Sequence, residues 1–192
     1  MLFRKSLSGL SDEELVIRFQ QGEGRALDVL YQRYGSPLLR FLYRMLWRDA
    51  QRAKDALQDI FVKVLERPMQ VDPARKFSTW LYAVAHNYCK NEYRKEANRD
   101  AAMLNQIISP THTDFGGDQM DQAVFRKALD KLLDEEGELA RTIIVLRYEM
   151  ELELDEIASV LNCPEGTVKS RLFYLRQRLA QSLGPYKIML EK

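Results

Sequence analysis

Lys169, Ser170 and Arg171, followed by Tyr174, Arg176 and Arg178, gather cationic and polar groups on one short stretch of chain. Between them Val168, Leu172, Leu175 and Leu179 recur at intervals of four, three and four, the spacing of an apolar helix stripe. Burying that stripe leaves Thr167 and the cationic groups spread over the rest of the helix. Lys and Arg in such positions neutralise phosphates and release counterions, and a suitably turned Arg pairs with guanine edges in the major groove. The helix N-terminus can itself approach a phosphate. A surface helix with a solvated face would carry the same charges, so this helix alone does not decide the matter.

The residues before it narrow the choice. Leu154, Ile157, Ala158 and Leu161 form the buried side of a two-turn helix, with small Ala158 letting the next helix cross closely. Asn162 suits the left-handed conformation that ends a helix, and Pro164 suits the first turn of its successor. A short helix, a three-residue turn and the start Pro164-Glu165-Gly166-Thr167-Val168-Lys169-Ser170-Arg171 together predict a helix-turn-helix from residue 153 to about 180. Such a unit lays its second helix in the major groove of duplex DNA.

A second set of polar groups lies far upstream. Asp55, Gln58 and Asp59 stand at i, i+3 and i+4, so all three can face one partner. A solvated acidic face would use the same spacing. Phe77 and Trp80, at i and i+3, read as a packing pair rather than as platforms for stacked bases.

The elements that position these groups are helical throughout. Ser11 and Glu14 form a capping box before the stripe Leu15, Val16 and Phe19, which Gly22 ends. A second run from about Gly24 to Trp47 carries Ala26, Leu27, Leu30, Tyr31 and Tyr34 on one side. Pro37 is expected to open a new helix within it, continued by Leu38, Leu39, Leu42, Tyr43, Leu46 and Trp47. From about Asp49 to Leu65 the inward set is Ala53, Leu57, Ile60, Phe61, Val64 and Leu65. Pro68 stops that helix, and Arg67 to Lys76 is an irregular loop. Phe77 to about Ala97 is helical again, capped by Ser78, with Trp80, Leu81, Val84, Ala85 and Tyr88 packed.

Residues 98–121 contain turn formers without lasting periodicity and are read as a flexible linker. Beyond them Val124, Ala128, Leu129, Leu132 and Leu133 define one helix, and Leu139, Ile143, Ile144, Val145 and Tyr148 another. The last helix runs to about Leu183. No segment alternates with period two, so the fold class is all-α: domains over 1–97 and 122–192, the second holding the helix-turn-helix.

Charge follows the same division. The net charge of +1 conceals 18 Lys or Arg against 13 Asp or Glu in residues 1–100, and 3 against 8 in 101–138. From Thr167 onward the count is 6 against 1. Basic patches rather than net charge attract a polyanion. Cys89 and Cys163 lie 74 positions apart, which fits neither a disulfide framework nor a metal motif and suits a reducing cytoplasm. Neither His86 nor His112 belongs to a catalytic constellation, and no phosphate-cradling Gly-rich loop is present. An enzyme is therefore not expected, nor a cofactor, nor a metal. No stretch approaches the roughly 20 apolar residues that span a bilayer, so membrane insertion is not expected either.

Asp155-Glu156-Ile157-Ala158 followed by Leu161 to Leu172 resembles the fourth region of bacterial sigma factors of the extracytoplasmic-function class. The resemblance implies contact with the minus-thirty-five promoter element by Lys169, Ser170, Arg171, Phe173 and Tyr174. Glu153 replaces a frequent Ser cap of the family, and Tyr174 a frequent basic residue. Ala53 to Phe61 resembles the second region of the same family, which implies docking of Asp55, Gln58 and Asp59 on the largest subunit of core RNA polymerase; for the chain as a whole the resemblance implies core polymerase, its beta-prime and beta subunits, as partner. Phe77 to Asn87 with Tyr93-Arg94-Lys95 resembles the segment for the minus-ten element, which implies DNA contacts from Lys76, Asn87, Asn91 and Arg94. The loop from Pro68 to Lys76 would hold an extruded promoter base. His86 stands where Arg is frequent and Asn91 where Asp is.

The resemblance covers residues 11–96 and 122–181, in the family's order. It implies a factor that binds core polymerase and promoter DNA, duplex and melted, and that is held silent by an anti-sigma partner. It also implies that the acidic linker threads the polymerase's RNA path. Two rivals share parts of the pattern. A helix-turn-helix regulator would bind its site tightly without polymerase, and an antagonist or adaptor would occupy polymerase without reading DNA.

Overall fold

The computed structural model describes residues 6–102, 133, 135 and 137–182. The chain divides into two compact units, residues 1–112 and 113–192. The described parts of both are helical.

In the first unit α1 is Asp12–Gln20, opened by the expected capping box. The Glu14 N–H donates to Ser11 Oγ at 3.1 Å and the Ser11 N–H to Glu14 Oε2 at 2.8 Å. The expected break at Pro37 does not occur: α2 runs unbroken from Arg25 to Met45. Pro inside a helix removes one backbone bond and costs about 3 kcal/mol. Leu30, Leu38, Phe41, Leu42 and Met45 are fully buried on both sides of it. Each such side chain contributes about 1.5–3 kcal/mol on burial, so packing outweighs the local penalty. Arg33 and Tyr34, just before Pro37, both bind Asp12, and Arg33 also donates to the carbonyls of Ser8 and Leu10 at 2.8 Å each. The chain leading into α1 is thereby tied to α2.

The apolar run does not continue helically through Trp47. Trp47 and Arg48 are both left-handed, at φ 52° and 58°, a conformation costing non-glycine residues about 1–3 kcal/mol each. The Trp47 ring meets Tyr93 edge-on at 4.9 Å, and the Arg52 guanidinium lies 4.9 Å from its centroid. Tyr93 Oη donates to the Met45 carbonyl, one of the acceptors that the end of α2 leaves open. Asp49 then caps α3, Ala50–Glu66, accepting from the N–H groups of Gln51 and Arg52 at 2.8 and 3.0 Å.

A 3-10 turn, Pro68–Gln70, leads towards α4, Phe77–Ala102. Residues 98–102, expected in the linker, are its last residues. The helix starts before Ser78, and the Lys76 carbonyl accepts from Trp80 N–H at 3.2 Å, so Ser78 sits inside the first turn rather than capping it. The buried face of α4 is Phe77, Leu81, Tyr82, Ala85, His86 and Cys89, while Trp80, Val84 and Tyr88 are half-buried. Phe77 and Trp80 stack at 6.0 Å, as their spacing predicts.

In the second unit residues 133 and 135 are helical and Leu133 is buried; Val124 to Leu132 lie outside the described residues. Helix α5, Glu138–Ile144, passes into a π-helical turn, Val145–Glu149, whose wider i→i+5 pattern continues in the bond from Met150 N–H to the Val145 carbonyl. The turn shifts the phase of the apolar stripe. Val145 and Leu146 are buried, whereas Tyr148, expected in the core, is 51% exposed. Helices α6, Leu154–Leu161, and α7, Glu165–Ser182, complete the unit. Ile157, Ala158 and Val160 bury the inner side of α6, with Leu154 and Leu161 half-buried. Val168, Leu172 and Leu175 do so for α7. No helix among the described residues is long and apolar enough to cross a membrane.

Candidate functional site

The turn between α6 and α7 has the geometry that its residues predict. Asn162 is left-handed at φ 50°, ψ 51°. The Cys163 N–H reaches back to the Ala158 carbonyl at 3.0 Å, and the Thr167 N–H to that of Pro164 at 2.9 Å. Glu153, in place of a Ser cap, still forms a capping box with Glu156: its N–H donates to Glu156 Oε2 at 2.8 Å. Its own carboxylate accepts from Arg147 Nη1 at 2.9 Å, and that nitrogen also binds the Leu152 carbonyl at 2.9 Å.

Lys169, Ser170, Arg171, Phe173 and Tyr174 are all exposed on α7. Lys169 Nζ lies 2.7 Å from Glu165 Oε1, a surface pair worth at most about 1 kcal/mol. A phosphate can take that lysine at little cost. Phe173 and Tyr174, 58% and 63% exposed, meet edge-on at 5.6 Å. Two adjacent uncovered rings on a basic helix suit apolar contact with thymine methyls.

In the first unit Asp55, Gln58 and Asp59 are exposed together on α3. Asp55 accepts from Gln51 Nε2 at 2.8 Å and Asp59 from Tyr88 Oη at 3.0 Å. Burial and then the Asp59 carboxylate push the Tyr88 hydroxyl pKa far above its ordinary value, so it remains a donor. Beside Gln58 an open groove of about 510 Å³ runs between α2 and α3, floored by Leu57 and Phe61 and rimmed by Tyr31, Val62 and Leu65. Leu65, expected inside, is 58% exposed, and Tyr31 is 49% exposed. Helical period alone cannot distinguish the edge of a core stripe from an uncovered groove.

Asn87, Asn91 and Arg94 are exposed at i, i+4 and i+7, one stripe of α4 about 10 Å long, and Lys76 is exposed just before the helix begins. Between Pro68 and Lys76 the loop is pinned rather than loose. Gln20 Nε2 donates to the carbonyls of Pro68 and Val71 at 3.0 and 2.7 Å, Val71 is buried, and Asp72 Oδ1 accepts from Ala74 N–H at 2.9 Å. Gln20 is a positioning group that its place in α1 gave no reason to suspect. Next to Asn87, His86 is buried and its Nδ1 has no hydrogen-bond partner among the described residues. Burial, then the neighbouring Lys90 charge, lowers its pKa.

Each of the two units has a counterpart in known proteins. Residues 30–99 match the family Sigma-70 region 2, and residues 128–181 match Sigma-70, region 4. The chain is 30% identical over 185 residues to the RNA polymerase sigma-H factor of Pseudomonas aeruginosa, covering 91% of this chain and 94% of that one. It is also 30% identical over 179 residues to the ECF RNA polymerase sigma factor SigW of Bacillus subtilis, covering 85% and 92%. The chain belongs to the extracytoplasmic-function sigma factors.

Among solved structures, that of CnrH in complex with the cytosolic domain of CnrY superposes with a TM-score of 0.66 at 26% identity, covering 91% of this chain and 97% of that one. As a sigma factor the protein is a transcription initiation factor, not an enzyme. It binds core RNA polymerase and directs it to promoter DNA, while RNA synthesis belongs to the polymerase. A regulator acting without polymerase, which could share region 4, leaves the match to region 2 unexplained.

Proposed function

We propose that the labour of initiation is divided between the two units. Asp55, Gln58 and Asp59 on α3 dock on core polymerase, and the groove beside Gln58 extends that face with the apolar rim of Tyr31, Val62 and Leu65. Lys76, Asn87, Asn91 and Arg94 hold the melted minus-ten strand, with the Pro68 to Lys76 loop receiving an extruded base. Lys169, Ser170, Arg171, Phe173 and Tyr174 anchor the minus-thirty-five duplex. The domain boundaries that go with this division are 1–97 and 122–192. Most of the intervening linker, which would thread the polymerase's RNA path, lies outside the described residues. The factor works in the cytoplasm, and an anti-sigma protein holds it silent.

The observation that carries this reading is the exposure of all three residue sets on helices whose opposite faces are buried, with Lys76 exposed just before one of them. A core-binding competition against a second sigma factor tests the first assignment. Replacing Asp55, Gln58 and Asp59 together by Ala should abolish competition and leave the helical content of the chain intact. Undiminished competition would remove α3 from the docking face.

A further inference from the structure

We propose that Tyr148 is a positioning residue that aims Arg176 at a promoter phosphate on the flank of α7. The inference rests on α7 facing duplex DNA. Within α7, Lys169, Phe173 and Arg176 stand at i, i+4 and i+7, a stripe directly beside the buried line of Val168, Leu172 and Leu175. Arg176 therefore lies where the exposed face meets the body of the unit. A helix laid in the major groove presents such flanks to the phosphate strands, and its outermost face to the bases.

The π-helical turn Val145–Glu149 brings the second partner. Having moved Tyr148 out of the core, it leaves the hydroxyl accepting from Arg176 Nε at 2.7 Å, with the guanidinium carbon 5.8 Å from the ring centroid. Nε points back to the protein, and the two Nη nitrogens have no other partner among the described residues. A planar guanidinium held by one edge offers its remaining donors in a fixed direction, which a lysine ammonium cannot do.

The chemistry of the holder matters as much as its position. Lys169 is paired with a carboxylate, which a phosphate must displace. Arg176 is held by a neutral hydroxyl and an aromatic face, so it is oriented while its full charge remains for the polyanion. Position 174, where the family often carries a basic residue, is here a tyrosine, so the cation at 176 gains weight in the electrostatic footprint.

The test uses holoenzyme assembled from the full chain and core polymerase, with a duplex selected by that holoenzyme from a randomised pool and a random-sequence duplex of equal length. Arg176→Ala should weaken both duplexes by a similar factor and reduce the slope of log K against log salt by about 0.9. Tyr148→Phe should weaken binding about threefold with the slope retained, and should have no effect in the Arg176→Ala background. Tyr148→Glu should weaken binding more than Tyr148→Phe, because its carboxylate competes with the phosphate. If Arg176→Ala proves unstable, Arg176→Lys should keep the slope and abolish the Tyr148→Phe effect.

An unchanged slope and affinity for Arg176→Ala would overturn the contact. An equal Tyr148→Phe loss with and without Arg176 would overturn the positioning role. Should Lys169→Ala and Arg171→Ala also leave duplex binding untouched, the placement of α7 on DNA itself fails. If those two weaken binding and Arg176→Ala does not, α7 meets DNA without the Arg176 contact.

Discussion

Tyr88 on α4 donates its hydroxyl to Asp59 on α3 at 3.0 Å, joining a residue of the proposed polymerase face to the helix proposed to hold the melted promoter strand. Lys63 lies over the same ring at 5.3 Å from its centroid. Asp59 thus has an internal partner from a distant element, whereas the Gln51 bond of Asp55 lies within one exposed turn of α3.

The two carboxylates should therefore separate in experiment. Asp59→Ala is expected to weaken core polymerase binding and also to lower stability by about 1 kcal/mol in urea denaturation, the cost of a hydrogen bond to a charged group at a partly exposed site. Asp55→Ala should weaken core binding with a stability change below about 0.5 kcal/mol. Equal stability losses would mean that the Tyr88 bond contributes nothing.

Asn162 sets the angle between α6 and α7 from a left-handed backbone. Asn162→Ala should destabilise the chain by about 1 kcal/mol, since a Cβ without a compensating polar group is disfavoured there, while Asn162→Gly should be neutral or slightly stabilising. Calorimetry on the three chains checks the order; an alanine variant as stable as the glycine variant would contradict it.

His86 gives the fold a pH dependence of known sign. Its ordinary pKa is 6.5, and in the folded chain burial holds it lower, so the unfolded chain binds the extra proton first. Stability is fully present above about 6.5 and falls as the pH drops towards the folded-state pKa. Relative to the wild type, His86→Leu should show a shallower loss of denaturation free energy between about pH 7.5 and 5.5. Parallel curves would mean that His86 titrates alike in both states.

Much of this architecture was legible in the residues, for identifiable reasons. The Ser11 box, the Asn162 turn and the stripe Val168, Leu172 and Leu175 are local patterns, and local patterns survive folding unless packing opposes them. The unbroken helix at Pro37 is not legible locally, because the burial that overrides its penalty comes from packing against residues distant in sequence. The exposure of Leu65 and Tyr148 is not legible either, because periodicity sees neither an uncovered groove nor a π turn that shifts phase. Tyr88 with Asp59, Gln20 with the Pro68 loop and Tyr148 with Arg176 join residues 28 or more positions apart, and no spacing rule reaches that far. The residue sets assigned by resemblance all lie exposed.

Arg171 offers a direct check on the upstream contact. It is exposed on α7. Arg171→Ala should weaken duplex binding by about 1–3 kcal/mol on a selected site if it pairs with a base, with a smaller and sequence-independent loss if it meets only phosphate. A titration over several salt concentrations separates the two, and an unchanged affinity throughout would remove Arg171 from the interface.

The central claim is that one chain delivers core polymerase to a promoter and helps to open it. Run-off transcription with purified core polymerase tests it most directly, using a linear promoter fragment and a matched template premelted at the minus-ten element. Specific transcripts are predicted from both templates only when the chain is added, with Asn87, Asn91 and Arg94 variants impaired chiefly on the linear one. Absence of specific initiation on either template would contradict the account.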